Sequence, residues 1–455
     1  MAAIEDRGVD PENGKDIVTV SQVATEVESV DALPDGPLPD IKPRTPTSSL
    51  NRQAYFGRQH TFDIDFVAPI IGFAPSFIRR AAGHGGALTI DEVIALLDLD
   101  AFGETFVPRS RIVDFLVLEQ SRSVTTPLDP LSANPTVLHH GEVLDSLQRL
   151  EPGSVQCVVT STPYWAMRLY EDPYHVAWAD GEVCPFGHEQ TPEGFVRHTV
   201  EVLYRLMPVL ADDSSVWWNV MDTFNTRTQI RGSAVEALRA MQGKDERSWG
   251  EHDCRRYSAG HAFLKDGEQC MIPLQIAQRA SRLGYYVKSV ITWAKTSTLP
   301  EPQNSRVSRN LEYILHLSKV RTPKFDKDAY RRLPPELGGR DPRFERDRLS
   351  DVWTIPTSAG GNGHGAQFPL ALPGRCIALS TSDGDLVLDP FVGSGSSGVV
   401  ALKLGRRFIG VDVSETYLAE AARKLGVAEA AMDRGLMLFD PECPEGTPPL
   451  HRDHS

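Results

Sequence analysis

No stretch of this chain approaches the ~18 consecutive apolar residues that a membrane-crossing helix requires. The first residues, MAAIEDRGVDPENGKD, lack the basic-then-apolar order of a secretory signal, so the sequence reads as that of a cytoplasmic protein. Cysteine is sparse. The six thiols are scattered at 157, 184, 254, 270, 376 and 443 with no CxxC pair, which fits reduced thiols. CPFGH, with Cys184 and His188, and the pair His252 and Cys254 have spacings too irregular for a zinc motif, and the reading is free thiols and no metal. Basic excess is missing too: the net charge is −14. On its face that argues against a nucleic-acid binder. The distribution softens the objection, because residues 1–40 hold ten acidic against two basic side chains, whereas 319–349 hold ten basic against six acidic. No internal repeat is present.

What remains is an ordinary globular composition, 41% apolar and 24% charged over 455 residues, with an uneven layout. Residues 1–50 are acidic and rich in Pro and Ser, and read as a disordered tail. Within 51–135, LTIDEVIALLDL is an amphipathic helix opened by the capping pair Thr89 and Glu92, and SRIVDFLVLEQ is a second helix. The two are an accessory helical region and linker, more simply explained by packing on a larger domain than by a helix-turn-helix. From Thr136 strands and helices alternate to about residue 430, which predicts an α/β domain with a mainly parallel sheet covered by helices on both faces. Two polar insertions, 223–270 and 321–351, interrupt it, and 431–455 read as a C-terminal tail.

Two segments carry the chemistry. In DLVLDPFVGSGSSGVVALKLGRRFIGVDV a buried strand ends at Asp389, Gly393, Gly395 and Gly398 punctuate the turn, and a helix follows. About twenty residues on, a second strand ends at Asp412, where a carboxylate can accept both hydroxyls of a ribose. The spacing matches a dinucleotide fingerprint, yet that fingerprint belongs at the start of a domain and this one closes it. The other segment is TSTPYW, Thr160 to Trp165, at the end of the apolar run VQCVV. Small polar, rigid and aromatic groups there suit the gripping of a flat polar ring better than a simple turn.

Together DPFVGSGSSG and TSTPYW resemble the cofactor loop and catalytic tetrapeptide of the amino-group DNA methyltransferases that use S-adenosylmethionine. WAKTSTLPEPQNSRVSRNLEYILHLSK and the His-x-Ala-x-Phe-Pro pattern at His364 to Pro369 follow in the family's order. The catalytic element precedes the cofactor loop, which is the circularly permuted, β-type arrangement of a Rossmann-like methyltransferase fold. The resemblance spans roughly 136 to 425. It implies that Ser161 Oγ and the Thr162 carbonyl accept the two N–H groups of an exocyclic amine on a flipped base, that Pro163 stiffens the loop, that Tyr164 stacks on the base and that Trp165 walls its pocket. Around the cofactor it implies Asp389, Phe391, Gly393, Gly395 and Phe368, with Asp412 on the ribose and Glu142 near the adenine.

Serine at the head of the tetrapeptide is the family's mark of cytosine-N4 transfer. Adenine-N6 transfer is the alternative, and a catalytically weak protein that binds DNA through the same fold is the alternative from another class. Cytosine carbon-5 transfer is disfavoured, since no Pro-Cys pair exists. One departure stands out: the family's Pro-Pro is here Thr162-Pro163, which loosens the loop but retains the carbonyl. Duplex DNA is the implied partner, with a restriction endonuclease as the functional counterpart. The insertions 223–270 and 321–351 are the candidate DNA-recognition segments, with Lys324, Arg331, Arg332 and Arg340 of the second as the candidate DNA contacts.

Overall fold

A computed structural model describes residues 60–99, 104–122, 135–165, 174–225, 264–265, 267–296, 305–343, 345, 349–357, 369–426 and 432–434. Phe368, His364 and most of the 223–270 insertion lie outside the described residues, as do residues 1–59.

The frame is a nine-stranded sheet in the order β10-β8-β9-β7-β4-β11-β12-β3-β13. Its members are β3 (Thr136–His140), β4 (Val155–Ser161), β7 (Leu210–Val220), β8 (Tyr286–Ala294), β9 (Leu311–Ser318), β10 (Val352–Thr354), β11 (Leu386–Asp389), β12 (Arg407–Asp412) and β13 (Met432–Arg434). Only β9 runs antiparallel to its two neighbours. The central strands β4 and β11 are buried almost throughout, which is why they read as continuous apolar runs rather than alternating ones. The sheet thus has the mainly parallel order that the alternation of elements predicted. β13 lies within the range read as a tail, and pairs with β3.

Successive side chains of a strand face opposite ways, so each strand feeds two cores. Val158 of β4 joins one core with α5 (Val143–Gln148), α6 (Pro192–Leu206) and α7 (Ile272–Leu283). Cys157 and Val159 join the other, which is closed by α8 (Lys327–Arg332), α9 (Ala371–Ser380), α10 (Ser396–Lys403) and α11 (Glu415–Leu425).

The N-terminal helices α1 (Ile64–Ile71), α2 (Pro75–Ala82), α3 (Ile90–Asp98) and α4 (Ile112–Gln120) contribute to the first core and pack against the domain. Thr89 and Glu92 form the expected reciprocal cap of α3. Arg279 of α7 donates to the Thr105 carbonyl, and Arg205 of α6 pairs with Glu119 of α4. β1 (Thr61–Phe62) pairs antiparallel with β2 (Leu88–Thr89) among the N-terminal helices, and a two-stranded hairpin, β5 (Val176–Ala177) and β6 (Val183–Cys184), follows the TSTPYW segment. None of the described helices is long and apolar enough to cross a membrane.

The 321–351 segment is fastened to α9. Buried Arg375 holds the Glu345 carboxylate with both terminal nitrogens and donates from Nε to the Gly338 carbonyl at 2.7 Å. Gly338 and Gly339 press so closely on Ala371 and Leu333 that a Cβ would sit 2.0 and 1.7 Å from their carbonyl oxygens. Arg375→Met removes the guanidinium and strands the Glu345 charge, so chemical denaturation is expected to show a loss of roughly 3–5 kcal/mol. A loss below about 1 kcal/mol would show that the segment is not held through Arg375.

Candidate functional site

The site lies where β4, β7, β11 and β12 end together, the edge of an open parallel sheet at which ligands bind. Register decides which side chains meet there. β4 and β7 pair with Ser161 opposite Asn219, and β8 and β9 pair with Trp293 opposite Glu312. Asn219 Nδ2 donates to Glu312 Oε2 at 2.7 Å, to the Tyr164 hydroxyl at 2.7 Å and, more weakly, to Ser161 Oγ at 3.4 Å. Tyr164 donates its hydroxyl proton to Glu312, whose other oxygen pairs with Lys295. Ser161 Oγ and the Tyr164 oxygen are 3.2 Å apart. Because the Tyr164 proton goes to Glu312, the Ser161 proton is the one shared between serine and tyrosine. The Ser161 lone pairs are then left to accept a further N–H. Lys295 and Glu312 belong to the WAK and LEYI stretches, so sequence had pointed to their neighbourhood. Asn219 carried no sequence signal, since its place depends on strand register.

Thr162 is 4% exposed and its hydroxyl has no hydrogen-bond partner. The loop gains its stiffness from the hairpin instead of a second proline. Gly187 lies against Pro163, where a Cβ would come within 3.1 Å of the proline Cβ. The Trp165 indole donates to the Glu189 carbonyl at 3.0 Å and is 2% exposed. Trp165, expected at the wall of a base pocket, packs in the first core beneath the hairpin.

On the cofactor side, Asp389 is 1% exposed and its oxygens are used internally. Oδ1 accepts from Thr160 Oγ1 at 2.7 Å and from the Phe391 N–H at 3.1 Å; Oδ2 accepts from Ser397 Oγ. Asp389, expected beside the cofactor, links the TSTPYW strand to the glycine turn through these partners. Gly395 takes φ +85° as the cap of α10, and a Cβ there would lie 3.0 Å from that of Ala421. Phe391 stacks obliquely on Phe186 of the hairpin, centroids 4.9 Å apart, and meets Trp218 edge-on.

Asp412 Oδ2 accepts the Gly393 N–H at 2.9 Å and Oδ1 the Ser414 N–H at 2.9 Å. Burial raises this carboxyl, and backbone N–H groups oppose the rise. A carboxylate offers about four lone-pair sites, so room remains for a ligand hydroxyl. A Cβ at Gly393 would meet nothing within 4 Å, so the space over the turn is clear. These residues fit an adenosine-bearing ligand with its ribose on Asp412. Glu142 was placed near an adenine; it is 9% exposed and caps α5, taking the Leu144 and Asp145 N–H groups. Burial and the neighbouring Asp145 push its carboxyl up to about 7.

The basic candidates fall elsewhere. Lys324 pairs with Asp385 at 2.7 Å and donates its backbone N–H to the Asp213 carbonyl, at the amino ends of β11 and β7. That is the edge opposite Ser161. Arg331 pairs with Asp328 on α8; Arg332 and Arg340 are exposed on the same segment. Cations do occur at the Ser161 edge: Arg306 and Arg309 stand over the Phe224 ring at 3.8 and 4.9 Å, just past the end of β7.

Comparison with known proteins was made against this geometry. The family model described as DNA methylase, N6_N4_Mtase, matches residues 155–423. The type II methyltransferase M.Cfr9I of Citrobacter freundii is 31% identical over 65% of this chain and 90% of its own length. M.XycI of Xanthomonas campestris pv. cyanopsidis is 32% identical over the same shares, and M.SmaI of Serratia marcescens 27% over 63% and 89%. The solved PvuII DNA methyltransferase, cytosine-N4-specific, aligns over 66% of this chain and 87% of that chain, at 18% identity and a TM-score of 0.42.

Burial raises the Asp389 carboxyl from 3.8 to about 6, against the opposing bonds from Ser397, Thr160 and Phe391. A raised acid stabilises the fold in its neutral form, so that contribution is present below pH 3.8 and lost as pH rises through about 6. Denaturation of wild type and Asp389→Asn should therefore show the wild-type advantage shrinking between about pH 4 and pH 7.5. An advantage that grows over that range would contradict the assignment.

Proposed function

The chain belongs to the N6_N4_Mtase family of DNA methylases, and from that premise we propose that it methylates the exocyclic N4 amine of a flipped cytosine in duplex DNA, as the modification partner of a restriction system. S-adenosylmethionine, when bound, supplies a methyl group on a sulfonium centre. The observation that carries the reading is the polarised network at Ser161, one strand away from the glycine turn.

An exocyclic amine is a poor nucleophile because its lone pair is delocalised into the ring. Ser161 Oγ, its own proton shared with Tyr164, accepts one amine N–H, and the Thr162 carbonyl accepts the other, which localises the nitrogen lone pair. Asn219 and the Lys295–Glu312 pair act as positioning residues: they hold the Tyr164 hydroxyl and hence the polarity of the serine. Tyr164 presents its ring to the base, and stacking of ~1–3 kcal/mol offsets part of the cost of flipping. Holding the amine in line with the methyl supplies most of the acceleration. Asp412 holds the ribose, while Phe391, Gly393 and Gly395 shape the turn. The choice of cytosine over adenine rests on serine at the head of the tetrapeptide. The type II methyltransferase relatives support the restriction-system role.

Incubation with labelled S-adenosylmethionine and mixed-sequence duplex, followed by nucleoside mass spectrometry, is expected to yield N4-methylcytosine. N6-methyladenine would overturn the base assignment, and DNA binding without any label would overturn the activity. Ser161→Ala is expected to slow transfer roughly 10²–10³-fold while cofactor binding persists, as when one positioned hydrogen-bonding group is removed. Arg306→Ala should weaken duplex binding uniformly across sequences and flatten the salt dependence by about one unit of log–log slope. An unchanged slope would exclude phosphate contact at Arg306.

A further inference from the structure

The β5–β6 hairpin folds over the start of α6 and gathers Asp180, Glu182, Cys184, Glu189 and His198 beside the TSTPYW loop. His198 is fully buried, its ring stacked on Trp178 at 4.1 Å. Nδ1 meets Glu189 Oε1 at 3.1 Å, and that buried oxygen also takes the Gly187 N–H at 3.0 Å. A carboxylate on one ring nitrogen is the partner that orients a metal-bound imidazole. Nε2 is hydrogen-bonded to Asp180 Oδ1 at 3.2 Å and stands 3.9 Å from Glu182 Oε2, and an incoming cation would take the place of the Nε2 proton among these oxygens. Nε2, the Cys184 sulfur and a Glu182 oxygen lie within 4.8 Å of one another. Ligands of a tetrahedral zinc stand about 3.5 Å apart, so small side-chain rotations close the set.

Two further features point to a ligand. Glu182 Oε1 is fixed by the Gln190 N–H at 2.8 Å, which leaves Oε2 directed at His198. Room for Oε2 exists only because residue 194, in the first turn of α6, is glycine: a Cβ there would lie 2.8 Å from it. Without an ion, three carboxylates and a thiol crowd a single imidazole, and Glu189 Oε2 has no hydrogen-bond partner. A divalent cation balances one thiolate and one carboxylate, and Arg197 at 3.9 Å offsets Asp180.

We propose that Glu182, Cys184 and His198 bind a structural zinc-class ion, with Asp180 completing the tetrahedron and Glu189 orienting the imidazole. Thiolate with imidazole selects zinc over the oxygen-seeking cations. The sequence paired Cys184 with His188 and found the spacing wrong; the fold pairs Cys184 with His198, across the hairpin and onto the helix. The ion would pin the segment that carries Phe186 against Phe391, Gly187 against Pro163 and the Glu189 carbonyl against Trp165. It would thus brace both halves of the transfer site from behind.

The test uses the full chain, stripped with chelator and titrated with Zn2+ or Co2+. The expected result is one equivalent of zinc bound, and a cobalt form with a sulfur-to-cobalt charge-transfer band and tetrahedral d–d absorption. Cys184→Ser should lose the charge-transfer band, and Glu189→Gln should weaken zinc binding about 10–100-fold. A stripped, folded wild type that takes up neither metal overturns the proposal, as does a cobalt spectrum without the sulfur band. Retention of the band in Cys184→Ser overturns it equally. The wild-type spectrum decides the matter even if a variant fails to fold.

Discussion

The hydrogen bond from Thr160 to Asp389 joins the two halves of the site. It runs between neighbouring strands, from the residue before Ser161 to the residue that opens the glycine turn. The same carboxylate takes the Phe391 N–H and the Ser397 hydroxyl, so a single buried acid sets the entry of the turn and the first residues of α10. A buried carboxyl left without partners would cost several kcal/mol, and three donors converging on it are what make the position tolerable. The distance between the TSTPYW loop and the glycine turn is therefore governed from inside the sheet, where little can move.

The same economy operates at the other end of the loop. Thr162 departs from the family's proline, yet the loop is clamped: Gly187 presses on Pro163, and the Trp165 N–H is tied to the hairpin. Rigidity that a second proline would have supplied locally is supplied by a neighbour distant in sequence. Polarity at Ser161 is likewise imported. Lys295 pairs with Glu312 beside Tyr164, and Asn219 fills the remaining gap. A one-residue slip between β4 and β7 would turn Asn219 away from Ser161, so strand register is part of the chemistry.

Most elements of the sheet were legible because burial on both faces leaves apolar runs, and because capping pairs such as Thr89 with Glu92 mark helix starts. What the sequence could not show about the site has a common cause. Asp389, Glu142 and Trp165 are of residue types that touch ligands or bury themselves with equal ease, and only their neighbours decide between the two. Lys324 looked like a phosphate contact because its segment is basic; β9 runs opposite to its neighbours and delivers that residue to the far edge of the sheet. Arg306 and Arg309 attracted no notice in the sequence and stand at the near edge.

By itself the sequence determined the class of fold and the order of the two chemical segments. These follow from local propensity and from motifs a few residues long, which need no knowledge of distant contacts. Tertiary structure alone decided which carboxylates meet the ligand space and which are spent inside the fold. It also decided which side chain polarises the serine, and it brought Cys184 to His198. Each of those depends on strand register and on a hairpin laid over a helix, relations between residues tens to hundreds of positions apart.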